Sequence, residues 1–225
     1  MKSKIINEKD YDMILSLDKK VYPASSPVTK AIIKSWYINN PEFGVVFEDK
    51  KKIIGTLVAI PLNERGWKKL IDGKLKESEM TRETIFDNSK DKKLGIHIYH
   101  IEKLDKNTKE FHKTALNYLA SLISKLKEGN NNLEIIGFSG LCVTKEGINL
   151  FERSFSCKER DFIIQEHILE KNGKRVVLET NSKKDIQNKI NSGYEYITKC
   201  KMLVLYPKEK SIVWGILKPC TSAIL

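Results

Sequence analysis

The sequence predicts an α/β domain, and two observations lead to that prediction. Residues 94–104 have the apolar character of a buried strand, and after a short polar turn residues 109–127 carry apolar side chains at helical spacing. Residues 43–48 and 53–62 are two β-rich runs, and the DKKK between them predicts a hairpin. Strand and helix patterns therefore alternate along the chain, as they do in α/β proteins.

The remaining elements follow from start and stop signals. Before the hairpin we expect a strand at 4–6, a helix from Asn7 and a second helix that ends at Asn39-Asn40-Pro41. Gly55 indicates a bulge or a close backbone approach within the second hairpin strand, and Pro61 is expected to end that strand. Further helices are predicted at 66–73, 145–155 and 183–191, and further strands at 133–141, 162–169, 175–180 and 195–206.

Length and composition bound the possible classes. The 225 residues suit one domain, placed at 1–206, with a tail at 207–225 that is expected to pack on it through Trp214. Hydrophobic content is 40% and formal net charge is +11, but 35 lysines against 5 arginines is a poor composition for nucleic-acid readout. Nucleic-acid binding is therefore the least favoured function.

Cysteines and targeting signals give a location. The four cysteines are widely spaced without a CxxC pair, so the sequence predicts neither a zinc site nor any other metal site, and reduced thiols in a cytoplasm are expected. The first residues, MKSKIINEKDYD, lack the apolar core of a signal peptide. No apolar run approaches the roughly 20 residues that span a bilayer, so no membrane contact is expected.

The element order and the strand–loop–helix at 94–127 resemble the GNAT N-acetyltransferases, over 1–160 and plausibly to 206. The resemblance implies a central mixed, twisted sheet flanked by helices. It also implies transfer of an acetyl group from acetyl-CoA to a primary amine, by direct attack in a ternary complex. The acceptor is then a small molecule or a protein amine, and neither its identity nor the oligomeric state follows from the sequence.

The family's cofactor loop is changed in this chain. The family usually places a Q/R-x-x-G-x-G/A pattern between strand and helix, and the matching stretch is 108–113, where Phe111 and Lys113 replace the small residues. Asn107 and Glu110 fit a capping box, so an ordinary capped helix is an equal alternative to a pyrophosphate site. The resemblance implies these cofactor-binding residues: Ile101, Lys103, Leu104, Lys106, Thr108, Lys109, His112, Lys113 and Ser139.

Candidate catalytic residues lie on and before the same strand. An amine must lose a proton before it attacks a thioester, and His or Glu can accept that proton near neutral pH. His97 is the first candidate, with Glu102 on the strand and Glu79, beside Glu77, on the preceding loop. Strand alternation places His97, Tyr99 and Ile101 on one face, and His100 and Glu102 on the other.

Two further features follow from the resemblance. Strands at Ile101–Leu104 and Phe138–Leu141 are expected to splay apart, so that the pantetheine arm binds between them like an added strand. Phe151 stands where family members often use a tyrosine as general acid, and a phenyl ring cannot donate a proton. This loss and the altered loop leave a second hypothesis open, a non-catalytic module of the same fold that binds a ligand or a protein.

Overall fold

The computed structural model describes residues 2–23, 27–154, 157–160 and 164–206. The predicted tail at 207–225, with Trp214, lies outside the described residues. Ten strands are described: β1 Lys2–Ile5, β2 Gly44–Asp49, β3 Lys52–Asn63, β4 Lys93–Lys103, β5 Glu134–Cys142, β6 Lys158–Arg160, β7 Glu166–Lys171, β8 Lys174–Glu179, β9 Glu195–Lys199 and β10 Lys201–Leu205. The helices are α1 Tyr11–Val21, α2 Lys30–Trp36, α3 Glu64–Ile71, α4 Phe111–Gly129, α5 Lys145–Asn149 and α6 Lys183–Asn191, with single turns at Pro41–Phe43, Glu77–Glu79 and Leu150–Ser154.

Seven strands form one central mixed sheet, which confirms the predicted fold class. Their order is β1-β2-β3-β4-β5-β10-β6, and β4 and β5 are parallel whereas the other neighbours are antiparallel. A right-handed crossover through a helix is the usual way to join two parallel neighbours, and α4 is that connection here. The parallel pair therefore lies at the centre of the sheet.

Pro61 does not end β3 as predicted. The strand continues to Asn63, and Pro61 pairs with Ile96 of β4. β2 pairs with β3 only as far as Val58, so beyond that residue the other edge of β3 carries only an isolated bridge from Leu62 to Ile85. Proline fits a strand where its missing N–H faces an edge.

Gly55 marks a close approach, as predicted. A Cβ on Gly55 would lie 2.3 Å from Cζ of Phe111, so the first residue of α4 packs its ring directly on β3. The Phe111 ring also meets Phe47 edge-on, with centroids 5.4 Å apart. This contact anchors the start of α4 beside the end of β4.

Two glycines make room for Trp67 under the parallel pair. A Cβ on Gly95 of β4 would lie 2.2 Å from the Trp67 ring, and one on Gly137 of β5 would lie 2.4 Å from it. α3 places this ring, which is 2% exposed, and Asn63 caps the helix by accepting a hydrogen bond from the Gly66 N–H at 2.9 Å. The buried indole therefore packs across one face of the β4–β5 pair.

The C-terminal part forms a second sheet that was not foreseen. The single strand predicted at 195–206 is two strands separated at Cys200, and they belong to different sheets: β9 joins β8-β7-β9, whereas β10 joins β5. We call β7, β8, α6 and β9 the inserted unit, because they lie between two neighbouring strands of the central sheet. The unit contacts the central domain through its Glu166, Arg175 and Glu179 side chains.

Candidate active site

The parallel strands β4 and β5 separate in the middle of the sheet. Their pairing runs from Lys93–Glu134 to His97–Ser139 and stops there, after which β4 pairs only with β3 and β5 only with β10. The predicted splay is therefore present between the predicted strands, but it starts later on β5 than expected. Phe138 and Ser139 are still paired with β4, and the opening begins at Gly140.

A cavity of about 110 Å³ lies at this opening. Its walls are formed by the end of α1, the turn at 77–79, the second half of β4 (97–102), the end of β5 and the helical segment after β5. The polar side chains that line it are Asp18, Tyr22, Glu77, His97, Tyr99, His100, Glu102 and Thr144. We call it the central cavity.

A bulge brings two histidines to the central cavity. Val58 pairs with His100 but Ala59 pairs with Ile98, so Tyr99 has no partner on β3. A strand with one extra residue shifts its alternation by one position beyond that residue. The predicted separation of His97 from His100 onto opposite faces is therefore wrong, and both line the central cavity.

His97 is held at both ring nitrogens. Its Nδ1 lies 3.0 Å from Ser139 Oγ and its Nε2 lies 3.2 Å from Glu77 Oε1, and the side chain is fully buried. Trp67 Nε1 donates to the same Ser139 Oγ at 3.1 Å. The indole can only donate, so the arrangement that satisfies every atom has Ser139 donating to Nδ1 and the Nε2–H donating to Glu77.

We call the hydrogen-bonded side chains of Trp67, Ser139, His97 and Glu77 the His97 relay, and Glu77 is the end of it that reaches the cavity. Its side chain is 13% exposed. Burial alone would raise the pKa of its carboxyl, but the hydrogen bond from His97 and the nearby imidazole outweigh burial and hold the pKa below its usual range. Glu77 is therefore an ionised carboxylate at neutral pH.

Asp18 has the opposite environment. It follows Tyr11 and Ile14 on the buried face of α1, and its side chain is 10% exposed. Burial raises the pKa of Asp18 to about 7; the Tyr99 hydroxyl opposes that rise, whereas the charge of Glu77 adds to it. The hydroxyl faces the carboxyl but lies outside hydrogen-bonding geometry, so it has no hydrogen-bond partner among the described residues.

His100 lies beside Asp18 and is neutral. Its Nε2 is 3.7 Å from Asp18 Oδ1, which is too far for a hydrogen bond, and this buried atom has no hydrogen-bond partner in the described part of the chain. Burial lowers the pKa of His100 to about 4. Tyr99 and His100 are thus two polar groups with unsatisfied hydrogen-bonding capacity, and both lie beside Asp18 at one wall of the cavity.

Two predicted catalytic residues are placed apart from this centre. Glu79, predicted as a candidate base, is exposed and accepts the Lys76 N–H at 2.9 Å, which caps its own turn. Glu102 lines the rim of the central cavity, where burial raises its pKa and Lys20 opposes that rise. Glu77, only a runner-up in the sequence, contacts His97 instead.

The predicted capping box at the start of α4 is wrong. The helix begins at Phe111, and Glu110 is its N-cap in a left-handed conformation with φ of 50°, without a side-chain cap hydrogen bond. The Glu110 carboxylate pairs with Lys113 instead, which lowers its pKa. The first N–H groups of α4 have no acceptor within the helix itself.

The predicted cofactor residues divide into three groups. Ile101, Lys103 and Leu104 lie on or just after β4, although the Leu104 N–H already bonds to Ile54 O at 2.9 Å. Ser139 is fully buried and its hydroxyl belongs to the His97 relay. The remaining residues surround the entry to α4, with the lysines exposed: Lys106, Thr108, Lys109, His112 and Lys113.

Phe151 packs in the core, as expected of a residue that cannot donate a proton. It is 4% exposed, and a Cβ on Gly140 would lie 2.5 Å from its ring and 3.3 Å from Ile98 O. Only a glycine lets β5 pass between this ring and the β4 backbone. Gly140 therefore allows this close packing at the point where the two strands begin to separate.

Sequence reasoning missed Asp18, Tyr22 and Glu166. Tyr22 donates a short hydrogen bond to the Glu166 carboxylate, which is 7% exposed, and burial raises the pKa of that carboxyl. A signal for Asp18 was present, because it falls on the apolar face of α1 seven residues after Tyr11. Glu166 had no comparable signal, since its burial depends on the inserted unit.

Two further features are absent from the described residues. No group of three or more His, Cys, Asp or Glu side chains there has an arrangement that would hold a metal ion. No helix in the described ranges has both the length and the hydropathy of a membrane span.

The chain is similar to solved N-acetyltransferase structures. The match to Arabidopsis thaliana Naa50 in complex with a bisubstrate analogue covers 91% of this chain and 97% of Naa50, at 10% sequence identity and a TM-score of 0.46. The match to Arabidopsis thaliana NAA60 with a bisubstrate analogue covers 91% of this chain and 98% of NAA60, at 13% identity and a TM-score of 0.46. The match to Ard1 from Thermoplasma volcanium covers 92% of this chain and 98% of Ard1, at 9% identity and a TM-score of 0.44. No protein-family model and no curated protein sequence matches the chain. Likeness at this level does not determine what the chain binds or does.

Proposed function

We propose that this chain is an acetyl-CoA-dependent N-acetyltransferase that acetylates a primary amine by direct attack. One observation carries the proposal: the parallel strands β4 and β5 separate beyond His97 and Ser139 over a cavity lined by the buried Asp18 and the half-buried Glu77 and Glu102. The opening frees one edge of β4, where an extended ligand can hydrogen-bond as an added strand. The N-terminus of α4 lies at the end of the same strand.

The residues around the opening fit acetyl-CoA. The first N–H groups of a helix have no acceptor within the helix, so the N-terminus of α4 favours a pyrophosphate. Lys106 and Lys109 add positive charge there in place of the loop glycines, whereas the charge of Lys113 is balanced by Glu110. When bound, acetyl-CoA supplies a thioester carbonyl that an amine can attack, with release of the CoA thiolate.

Asp18 is the group that accepts the proton of the amine. Three carboxyls line the central cavity, and Glu102 lies at its rim. The environments of the other two move their pKa values apart: that of Asp18 is raised to about 7 and that of Glu77 is held below its usual range. Such a pair assigns the proton-transferring role to the carboxyl that titrates near neutrality. Asp18 is also the carboxyl that lies beside Tyr99 and His100, two side chains whose buried polar atoms have no hydrogen-bond partner among the described residues.

Glu77 holds the amine, and His97 positions Glu77. An ionised carboxylate attracts an ammonium group and keeps it next to Asp18 before the proton leaves. His97 has both nitrogens engaged and no exposed surface, so it orients the Glu77 carboxylate and does not touch the amine. Its role is that of a positioning residue.

Calorimetric titration with acetyl-CoA, followed by a thiol-release assay with a panel of primary amines, tests the proposal. We expect acetyl-CoA binding in the micromolar range and release of free CoA only when an amine is present. Absence of binding at millimolar acetyl-CoA would contradict the proposal.

A non-catalytic module of the same fold is the second candidate. Phe151 in the core, where the family often has a tyrosine, and the Glu110–Lys113 ion pair at the cofactor loop favour it. Binding of acetyl-CoA without CoA release for any amine in the panel is the result that this candidate predicts.

A further inference from the structure

A second cavity of about 190 Å³ adjoins the central cavity and is closed by the inserted unit. Glu77 lines both cavities, so its carboxylate stands at their junction. We call the second space the side cavity. Five apolar side chains form most of its wall: Leu70, Leu75, Leu141, Ile164 and Met202.

The polar part of the side cavity is a pair of carboxyls at its inner end. Glu166 of β7 is 7% exposed and receives a hydrogen bond from Tyr22. Its pKa is raised first by burial and further by the charge of Glu77, which places the two carboxyls within electrostatic reach of each other. An ammonium group between them would relieve that repulsion.

The remaining charges of the side cavity cancel. Lys76 and Glu179 also line it, and Lys76 Nζ lies 2.7 Å from Glu179 Oε1 in an ion pair. The Lys76 side chain is 43% exposed and that of Glu179 39%, so this pair sits at the mouth. The cavity thus offers negative charge at its inner end, an apolar wall, and no unpaired carboxylate for a second cation.

We propose that the acceptor is a compact primary amine whose ammonium group binds between Glu77 and Glu166 and whose apolar substituent fills the side cavity. This inference rests on the proposed function, because it names the acceptor of that reaction. A volume of about 190 Å³ is below the roughly 300–1,000 Å³ of pockets for drug-sized ligands, so the acceptor is small. Elongated amines with a second positive charge are rejected, since that charge would meet the apolar wall or Lys76.

Calorimetry without acetyl-CoA separates this inference from the proposed function. We expect 2-phenylethylamine and n-pentylamine to bind at least tenfold more tightly than agmatine or spermidine. The neutral isostere 2-phenylethanol is expected to bind at least tenfold more weakly than 2-phenylethylamine. If amines bind in this order but acetyl-CoA does not bind, the acceptor site stands and the transferase proposal fails.

Two variants localise the site. Glu166→Gln should weaken 2-phenylethylamine at least tenfold, because it removes one of the two carboxylates. Glu170→Gln lies on the same strand but lines a different surface and pairs with Arg175, so it should leave the affinity unchanged. Tighter binding of spermidine, of agmatine or of a peptide N-terminus than of 2-phenylethylamine would overturn the inference, as would equal affinity of Glu166→Gln and the unaltered chain.

Discussion

The entry to α4 and the two cavities use charge in opposite ways. At the entry, Lys106, Lys109 and Lys113 are exposed, and such surface charges cost little to place and are screened by salt. In the cavities, Asp18 and Glu166 are each less than 10% exposed, and burying a carboxyl is costly unless it is paired. The difference teaches that the lysine-rich loop is weak evidence for function, whereas the buried carboxyls are strong evidence.

The largest effect is expected from the buried pair Asp18 and His100. The folded pKa of Asp18, about 7, lies above its unfolded value of 3.8, so its contribution to stability is complete below pH 4 and is lost as the pH rises through 7. Asp18→Asn has no carboxyl that titrates at this position, so it does not lose stability in this way. Its free energy of unfolding minus that of the unaltered chain should therefore increase by roughly 4 kcal/mol at most between pH 4 and pH 8. Urea unfolding across this range measures the change.

His100→Gln provides the opposite sign. The folded pKa of His100, about 4, lies below its unfolded value of 6.5, so its neutral burial favours folding more as the pH rises from 4 to 6.5. The free energy of unfolding of the variant should fall by roughly 3 kcal/mol at most relative to that of the unaltered chain over that interval. Parallel pH profiles for both variants would contradict the assigned burial of this pair.

Gly140→Val tests the opening between the strands. Its side chain would press on Phe151 and approach Ile98 O, so we expect destabilisation of about 1–3 kcal/mol and at least tenfold weaker acetyl-CoA binding. Gly129→Ala is the matched control, because a Cβ there meets nothing within 4 Å. Unchanged acetyl-CoA affinity in a folded Gly140→Val protein would place the cofactor elsewhere.

Ser139→Ala tests the relay behind Glu77. It leaves the buried Trp67 Nε1 and His97 Nδ1 without their partner, which costs about 1–3 kcal/mol of stability. If His97 only positions Glu77, the variant should raise KM for the amine more than it lowers kcat. A Ser139→Thr variant that restores the hydroxyl should recover part of the loss in KM, whereas a purely structural role would not move this ratio.

The smallest effect is expected at the exposed loop. Lys109→Glu should weaken acetyl-CoA binding severalfold at low ionic strength and less at high ionic strength, since an exposed charge acts through screened attraction. Lys125→Glu makes the same change of net charge within α4, far from its N-terminus, and should have little effect. Equal effects of the two variants would show that only net charge matters.

The sequence predicted the elements better than it predicted the site. Periodicity identified α4, which packs one face on the core, and continuous apolar runs identified β3 and β4, which are buried on both faces. The break at Cys200 stayed hidden, since alternation does not reveal which sheet a strand joins. The bulge at Tyr99 was equally invisible, because its neighbours are all compatible with a strand.

Site residues were predicted where they lie next to a recognisable strand and missed where packing alone buries them. His97 was found from its place on β4, whereas Glu77 ranked only as a runner-up to it because an acidic residue in a polar loop has the pattern of a solvated one. Asp18 and Glu166 become functional candidates only when α1 and the inserted unit bury them. Burial of a charged group is a tertiary property, and one sequence carries little information on it.

The pH dependence of kcat/KM for the unaltered chain and for Asp18→Asn tests the central claim most directly. We expect kcat/KM of the unaltered chain to rise with pH and to level off above an apparent pKa of about 7, because Asp18 must be ionised to accept the proton. At pH 8 the kcat/KM of Asp18→Asn should be about 10²–10⁴-fold lower than that of the unaltered chain. Its kcat/KM should not show the rise with an apparent pKa of about 7, and its affinity for acetyl-CoA should be retained. A limb at the same pKa in Asp18→Asn, at undiminished rate, would contradict the claim that the buried carboxyl at the opening of β4 and β5 accepts the proton.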